Sequence, residues 1–222
     1  MASQPPAQTL SARADFLAVA PDARELARFL MLYQFGIDEV TTKLNVLRDE
    51  FTHVHDYNPI EHVKSRLKTP EGILEKARRR GCAIELDAIR AEIRDIAGVR
   101  VVCSFESDVY SLFDIFRRQA DITVVEVEDY IRDPKPNGYR SLHAIVEIPV
   151  FLSTGPEVVA VEMQLRTVAM DFWASLEHKI FYKYGRRVPV ALLDELKDAA
   201  TTAAQLDERM QRLHREIAEL ER

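Results

Sequence analysis

The sequence predicts an α+β fold: a mixed β-sheet flanked by helices, with a long helix at each end of the chain. Three observations lead there. Apolar residues recur in steps of three and four over long stretches near both termini, the period of a helix face. Between those stretches, runs that alternate apolar and polar side chains, as half-buried strands do, are interleaved with shorter helical runs. Finally, the strand-like runs "SLHAIVEIPVFL" and "VVAVEMQLR" are separated only by "STGPE", a connection short enough for antiparallel neighbours.

The elements follow in order. The first 21 residues lack the apolar core of a signal peptide and are expected to form a short mobile tail. From residue 22 to 54, Leu26, Leu30, Tyr33, Ile37, Val40, Leu44, Leu47, Phe51 and Val54 form one helical seam. "IEHVKSRLK" reads as a short strand. Thr69 then supplies an N-cap and Pro70 a first helical position for "GILEKARRR", which Gly81 ends. "AGVRVVCSF" reads as a strand, "SDVYSLFDIFRRQ" as a helix and "ITVVEVEDYI" as a strand. A loop, "DPKPNGYRSLH", leads into the antiparallel pair, after which Thr167 caps the helix "VAMDFWASLEHKIFYKY". The last stretch repeats the seam through Leu192, Leu196, Ala199, Ala203, Leu206, Met210, Leu213, Ile217 and Leu220. Two arrangements satisfy these terminal seams: the helices pack on each other within one subunit, or they build a homo-oligomer.

Composition narrows the function classes. With 47% hydrophobic and 30% charged residues, most of the 222 residues are able to fold around a core, and no apolar run approaches the length of a membrane span. Cys82 and Cys103 lack metal-ligand spacing and fit packed thiols in a reducing cytoplasm. A formal charge of −6 argues against coating a nucleic acid by bulk electrostatics. Residues 64–80 nevertheless carry seven basic side chains against two acidic ones, a concentration suited to a compact polyanion. Lys76, Arg79 and Arg80 share one face of that helix.

The strands carry chemistry on one face. Val99, Val101, Cys103, Leu142, Ala144, Val146, Ile148, Val161, Met163 and Leu165 form the apolar face, assigned to the core. The other face bears Arg100, His143, Glu162, Gln164 and Arg166. Asp95, just before one strand, and Glu162, within another, are two carboxylates of the kind that hold Mg²⁺ on nucleotide phosphates, since magnesium takes few protein oxygens. The loop adds Lys135, Tyr139 and Arg140, a set of cations and an aromatic ring that a plain turn does not require.

Four blocks in order, "SRLKTPEGILEK", "DIAGVRVV", "PKPNGYRSLH" and "VEMQLRTVAMDFWASLEHKI", make residues 60–184 resemble the synthetase domain of the RelA/SpoT family, in its stand-alone small alarmone synthetase form. The resemblance implies a nucleotidyltransferase-like fold without a P-loop, dividing the chain into the tail (1–21), an N-terminal helical region (22–58), the synthetase domain (59–186) and a C-terminal oligomerisation helix (187–222). It implies transfer of pyrophosphate from ATP to the 3′-hydroxyl of GDP or GTP with Mg²⁺ as cofactor. On this pattern Arg66, Lys68, Lys76 and Arg100 hold ATP, and Asp95 and Glu162 bind the metal, with Glu162 also taking the hydroxyl proton. Tyr139 stacks on guanine, Lys135 and His143 contact the acceptor's phosphates or ribose, and Gln164, Arg166 and Asp171 complete the acceptor site. The partners implied are a homo-oligomer of tetrameric type and a regulatory alarmone or single-stranded RNA. Two departures stand out: Gly72 where many members have serine, and Asp171 where some have asparagine.

The family's larger members also hydrolyse the alarmone, using an upstream HD domain. Here "HVHDY" places His55 beside Asp56, but only 54 residues precede His55, too few for such a domain, so a synthetase without hydrolase is expected. The competing functions are a catalytically weak nucleotide or RNA sensor and a nucleotidyltransferase that moves a nucleoside monophosphate.

Overall fold

The structure is a computed structural model, described here over residues 23–184 and 189–220. The predicted tail lies outside the described residues. The order is α1 (Ala23–Val54), β1 (Ile60–Leu67), α2 (Pro70–Arg80), α3 (Leu86–Glu92), β2 (Ala97–Cys103) and α4 (Glu106–Phe116). Then come β3 (Thr123–Asp129), β4 (Leu142–Leu152), β5 (Gly155–Thr167), α5 (Val168–Tyr184) and α6 (Val190–Leu220). The five strands form one sheet in the order β1-β2-β5-β4-β3, with β2 and β5 parallel and the other pairs antiparallel.

Local signals act where the sequence places them. Thr69 accepts a hydrogen bond from the Gly72 amide at the start of α2, Pro70 opens the helix, and Gly81 closes it at φ +69°. Thr167 Oγ1 accepts from the Met170 amide, capping α5. The turn "STGPE" is tighter than expected: the ladder runs on to Leu152 opposite Gly155, leaving only Ser153 and Thr154 between the strands. Turn chemistry marks residues that tolerate a bend, whereas backbone pairing decides where the ladder stops. The short α3 has no counterpart in the sequence reading; at seven residues it shows too little periodicity, yet Ile89 inside it and Ile93 after it are wholly buried.

The assigned apolar face is the core. Val99, Val101, Cys103, Ala144, Val146, Ile148, Val161, Met163 and Leu165 join Ile73 and Leu74 of α2, Ile89 of α3 and Leu112 and Phe116 of α4 in one cluster. The seam of α1 lies on this face, burying Tyr33, Ile37, Val40, Leu44 and Leu47. Gly36 makes the approach possible, because a Cβ there would fall 2.8 Å from Val159 Cγ1. The terminal seams therefore do not pack on each other: α1 belongs to the sheet's core cluster, while Ala200 of α6 belongs to a separate cluster with Trp173 and Ala174. A helical seam specifies that a face is covered, and an extended apolar sheet offers α1 more area than another helix would.

Candidate active site

The polar face of the sheet holds two clefts that meet at Glu162. The first, about 720 Å³ and open to solvent, is lined by Lys76 and Arg80 of α2, Asp95, Lys135, His143 and Glu162, among others. The second is lined by Lys64 and Arg66 of β1, Gly98 and Arg100 of β2, and Glu162 and Gln164 of β5. Strand register explains the second: Lys64 pairs with Arg100 and Arg66 with Gly98, while Gly98 and Arg100 pair with Glu162 and Gln164. Alternation then sends all these side chains to one face.

Asp95 sits in the turn before β2, reached by Lys68 Nζ at 2.6 Å and Lys76 Nζ at 2.5 Å, both on Oδ2. Burial opposes ionisation of this carboxyl, but the hydrogen bonds and charges of Lys68 and Lys76 outweigh burial and hold it below the ordinary aspartate range. Its Oδ1 is buried and has no partner. An ionised carboxylate with one oxygen uncommitted beside a cleft, with a second carboxylate on the same wall, fits a divalent cation that retains water or phosphate ligands.

Glu162 belongs to a closed ring of polar side chains. Its Oε1 lies 3.6 Å from His143 Nδ1. His143 Nε2 lies 2.7 Å from Tyr139 Oη, which accepts from Arg166 Nη2 at 2.5 Å. Arg166 Nη2 also donates to Gln164 Oε1 at 3.0 Å, and Gln164 Nε2 returns to Glu162 Oε2 at 2.9 Å. With Tyr139 accepting from Arg166 and donating to Nε2, the network assigns the imidazole proton to Nδ1, facing Glu162. Burial pushes the Glu162 carboxyl upward, but His143 and Gln164 more than compensate and leave it lowered, so the side chain is a carboxylate at neutral pH.

Comparison with known proteins accords with this geometry. Residues 65–187 match the family described as "Region found in RelA / SpoT proteins". The chain belongs to the RelA/SpoT family. The GTP pyrophosphokinase YwaC of Bacillus subtilis is 50% identical over 188 residues, spanning 85% of this chain and 90% of that protein. The crystal structure of small alarmone synthetase 2 from Bacillus subtilis superposes with a TM-score of 0.80 at 47% identity, covering 86% of this chain and 99% of that one. Small alarmone synthetase 1 from the same organism, bound to its product pppGpp, gives 0.81 at 38% identity, covering 87% and 98%. The α+β fold is shared with these RelA/SpoT proteins.

The residues matched to RelA/SpoT motifs fall together, with two adjustments. Gln164 lines the second cleft beside Arg66 and Arg100, whereas Arg166 is only 4% exposed and lies behind that wall instead of lining it. Asp171 is likewise buried, held by Arg166 Nη1 at 3.1 Å and Arg100 Nη1 at 3.2 Å. The reason is local: β5 runs straight into α5, whose first turn brings Asp171 back over Arg166. Of the basic face on α2, Lys76 and Arg80 reach the first cleft, while Arg79 is exposed and absent from its lining. At Gly72, where many relatives are expected to carry serine, a Cβ would meet Lys68 Cγ at 3.2 Å and Thr69 Oγ1 at 3.4 Å, so Lys68 would have to give by a few tenths of an ångström.

Sequence reasoning missed several neighbours. His62 lies with Nε2 3.9 Å from Asp171 Oδ2, on the same alternation as Lys64 and Arg66, a signal present in "HVKSR". Tyr130 carries Lys135 Nζ 4.1 Å above its ring and meets His143 edge to face. Glu126 and Glu128 line the first cleft with Arg94, and their spacing of two on β3 was legible as one face. His55 and Asp56 follow the end of α1, and no group of three or more potential metal-ligating side chains occurs among the described residues.

Proposed function

We propose that this protein is a (p)ppGpp synthetase that transfers pyrophosphate from ATP to the 3′-hydroxyl of GDP or GTP and releases AMP. The observation that carries the reading is Glu162, a half-buried carboxylate common to both clefts and fixed from both sides by His143 and Gln164. Two polyanionic substrates need cations around the reacting atoms, and the group that activates the nucleophile belongs among them: residues assigned to ATP and to the acceptor occur in both clefts, and Glu162 is common to the two. Whole-length likeness to GTP pyrophosphokinases supports the same reading.

In this mechanism Arg66, Lys68, Lys76 and Arg100 bind ATP, where their charges offset the negative charge that accumulates on the transferring group. Lys135, Tyr139, His143 and Gln164 form the acceptor site, with the buried Arg166 and Asp171 supporting it from behind. Glu162 takes the proton from the 3′-oxygen, which attacks the β-phosphorus of ATP; the bond to the α-phosphate oxygen breaks and AMP leaves. His143 holds the Glu162 carboxylate ionised and aimed until that proton arrives. Asp95 and Glu162 would hold Mg²⁺, which supplies charge neutralisation and orientation of the phosphates. Lys68 and Lys76, both paired with Asp95, stand where their ammonium groups would turn to phosphate oxygens of bound ATP.

Two free cysteines, and no helix among the described residues long and apolar enough to cross a membrane, support a cytoplasmic setting. A chromatographic assay with ATP, Mg²⁺ and GDP or GTP, omitting each in turn, tests the activity. AMP plus a more highly charged guanosine product, formed only with all three, is expected. Release of inorganic pyrophosphate would assign nucleotidyl transfer instead, and tight binding of both nucleotides without turnover would assign a sensor.

A further inference from the structure

Helix α6 touches both elements that present acceptor-site residues. The first is the loop between β3 and β4, which carries Lys135 and Tyr139. Its turn is closed by the Gly138 amide donating to Lys135 O, and Gly138 has φ +88°. A Cβ built on Gly138 would fall 2.5 Å from Ala200 Cβ of α6, so helix and loop backbone are in direct contact. The second is the first turn of α5, which carries Asp171. Thr167, wholly buried, caps that turn through Oγ1 and donates its hydroxyl hydrogen to Asp207 Oδ2 of α6 at 2.6 Å. Between these two points, Trp173 Nε1 donates to Leu196 O of α6, and the Trp173 ring lies 6.5 Å from that of Tyr139.

A carboxylate at 9% exposure is an expensive anchor on a helix whose remaining inward residues are mostly small and apolar. An apolar side chain would pack α6 equally well. What an apolar residue lacks is an acceptor that fixes the rotamer of Thr167, whose oxygen in turn sets the direction of the α5 cap.

We propose that α6 is a positioning element of the acceptor-nucleotide site, with Asp207 as its positioning residue acting through Thr167 on Asp171, and Ala200 acting through Gly138 on Lys135 and Tyr139. This rests on the acceptor-site reading above. It makes the C-terminal helix part of GDP and GTP recognition without touching either nucleotide, and its one link to the ATP cradle described here runs through Asp171, which also holds Arg100.

The test uses the full chain. Asp207→Ala, Asp207→Asn and Ala200→Leu are compared with wild type by GDP titration calorimetry, steady-state kinetics and thermal unfolding. Ala200→Leu is expected to raise the acceptor KM and Kd tenfold or more with the KM for ATP within twofold, and Asp207→Ala to raise them as far with a clearly smaller rise for ATP, because Asp171 also holds Arg100. Asp207→Asn, which keeps an oxygen acceptor for Thr167, should stay near wild type. Equal changes in both KM values, or a loss of kcat alone, would overturn the inference and leave α6 a structural support. If Asp207→Ala does not fold, Ala200→Leu and Asp207→Asn decide: an unchanged acceptor KM in the former, or a tenfold rise in the latter, overturns it. Wild-type protein that neither binds nor converts GDP would instead overturn the acceptor-site reading.

Discussion

In the proposed mechanism the chemistry converges on Glu162, and the surroundings of that side chain define what its loss should do. Glu162→Gln keeps the shape and a hydrogen-bonding partner for Gln164 but removes the basic oxygen. A positioned general base contributes about 10²–10⁴-fold to a rate, so turnover should fall by that order while nucleotide affinities measured by calorimetry stay within a few-fold. Near-normal kcat would remove Glu162 from the base role. The proposed function puts Tyr139 on the acceptor side: its ring is flanked by Lys135 and Arg166, and its hydroxyl links Arg166 to His143. Base stacking on an aromatic ring is worth about 1–3 kcal/mol, so Tyr139→Ala should raise the acceptor KM roughly tenfold or more, with a much smaller change for ATP. Equal effects on the two substrates would place Tyr139 in the general network and not under the base.

At the scale of elements, the contact of α6 with α5 and α4 carries a pH signature. Burial raises the Asp207 carboxyl from its ordinary 3.8 to about 6; Glu106 pushes it the same way, while Thr167 and Arg140 resist. A carboxyl whose folded value lies above its unfolded value favours folding while protonated, so its contribution is complete below pH 4 and is lost as pH rises through about 6. Asp207→Asn does not titrate. Its unfolding temperature should therefore gain on wild type between pH 5 and pH 7.5, by an amount equivalent to about 2 kcal/mol or less. An unchanged difference across that range would mean that Asp207 ionises without cost. Burial also raises Glu106, so part of the pH dependence should survive in the variant. Helix α1 presents the opposite case, a seam spent on an apolar sheet with no ionisable group required.

At the scale of the whole molecule, the outward face of α6 has no intramolecular partner among the described residues. Leu206, Met210, Leu213 and Ile217 are about half exposed and Leu220 is 86% exposed, in a line along the helix. An apolar stripe of this kind on a charged helix is the surface that the homo-oligomer expected from the resemblance would use. Replacing Leu213 and Ile217 together by glutamate should lower the mass measured by light scattering while the inner face, with Leu196, Ala200 and Asp207, remains in place. A wild-type mass for that variant would locate subunit contacts elsewhere.

The sequence by itself determined the α+β class, the strands and most helix ends, and the division of each strand into an apolar and a polar face. Those are local properties, set by side-chain period, capping hydroxyls and turn residues such as Thr69, Pro70 and Gly81. It also placed Lys76, Asp95, Tyr139, His143 and Glu162 in motifs whose order named a family. Tertiary structure alone decided what covers each face and which polar groups meet. The α1 seam would have suited a helix as well as the sheet it found, because periodicity specifies burial and not the burying partner. His62 meets Asp171 across 109 positions, and Asp207 meets Thr167 across 40. Pairings of that kind arise when register and crossover bring distant strands and helices to one place, and no window along the chain contains both partners.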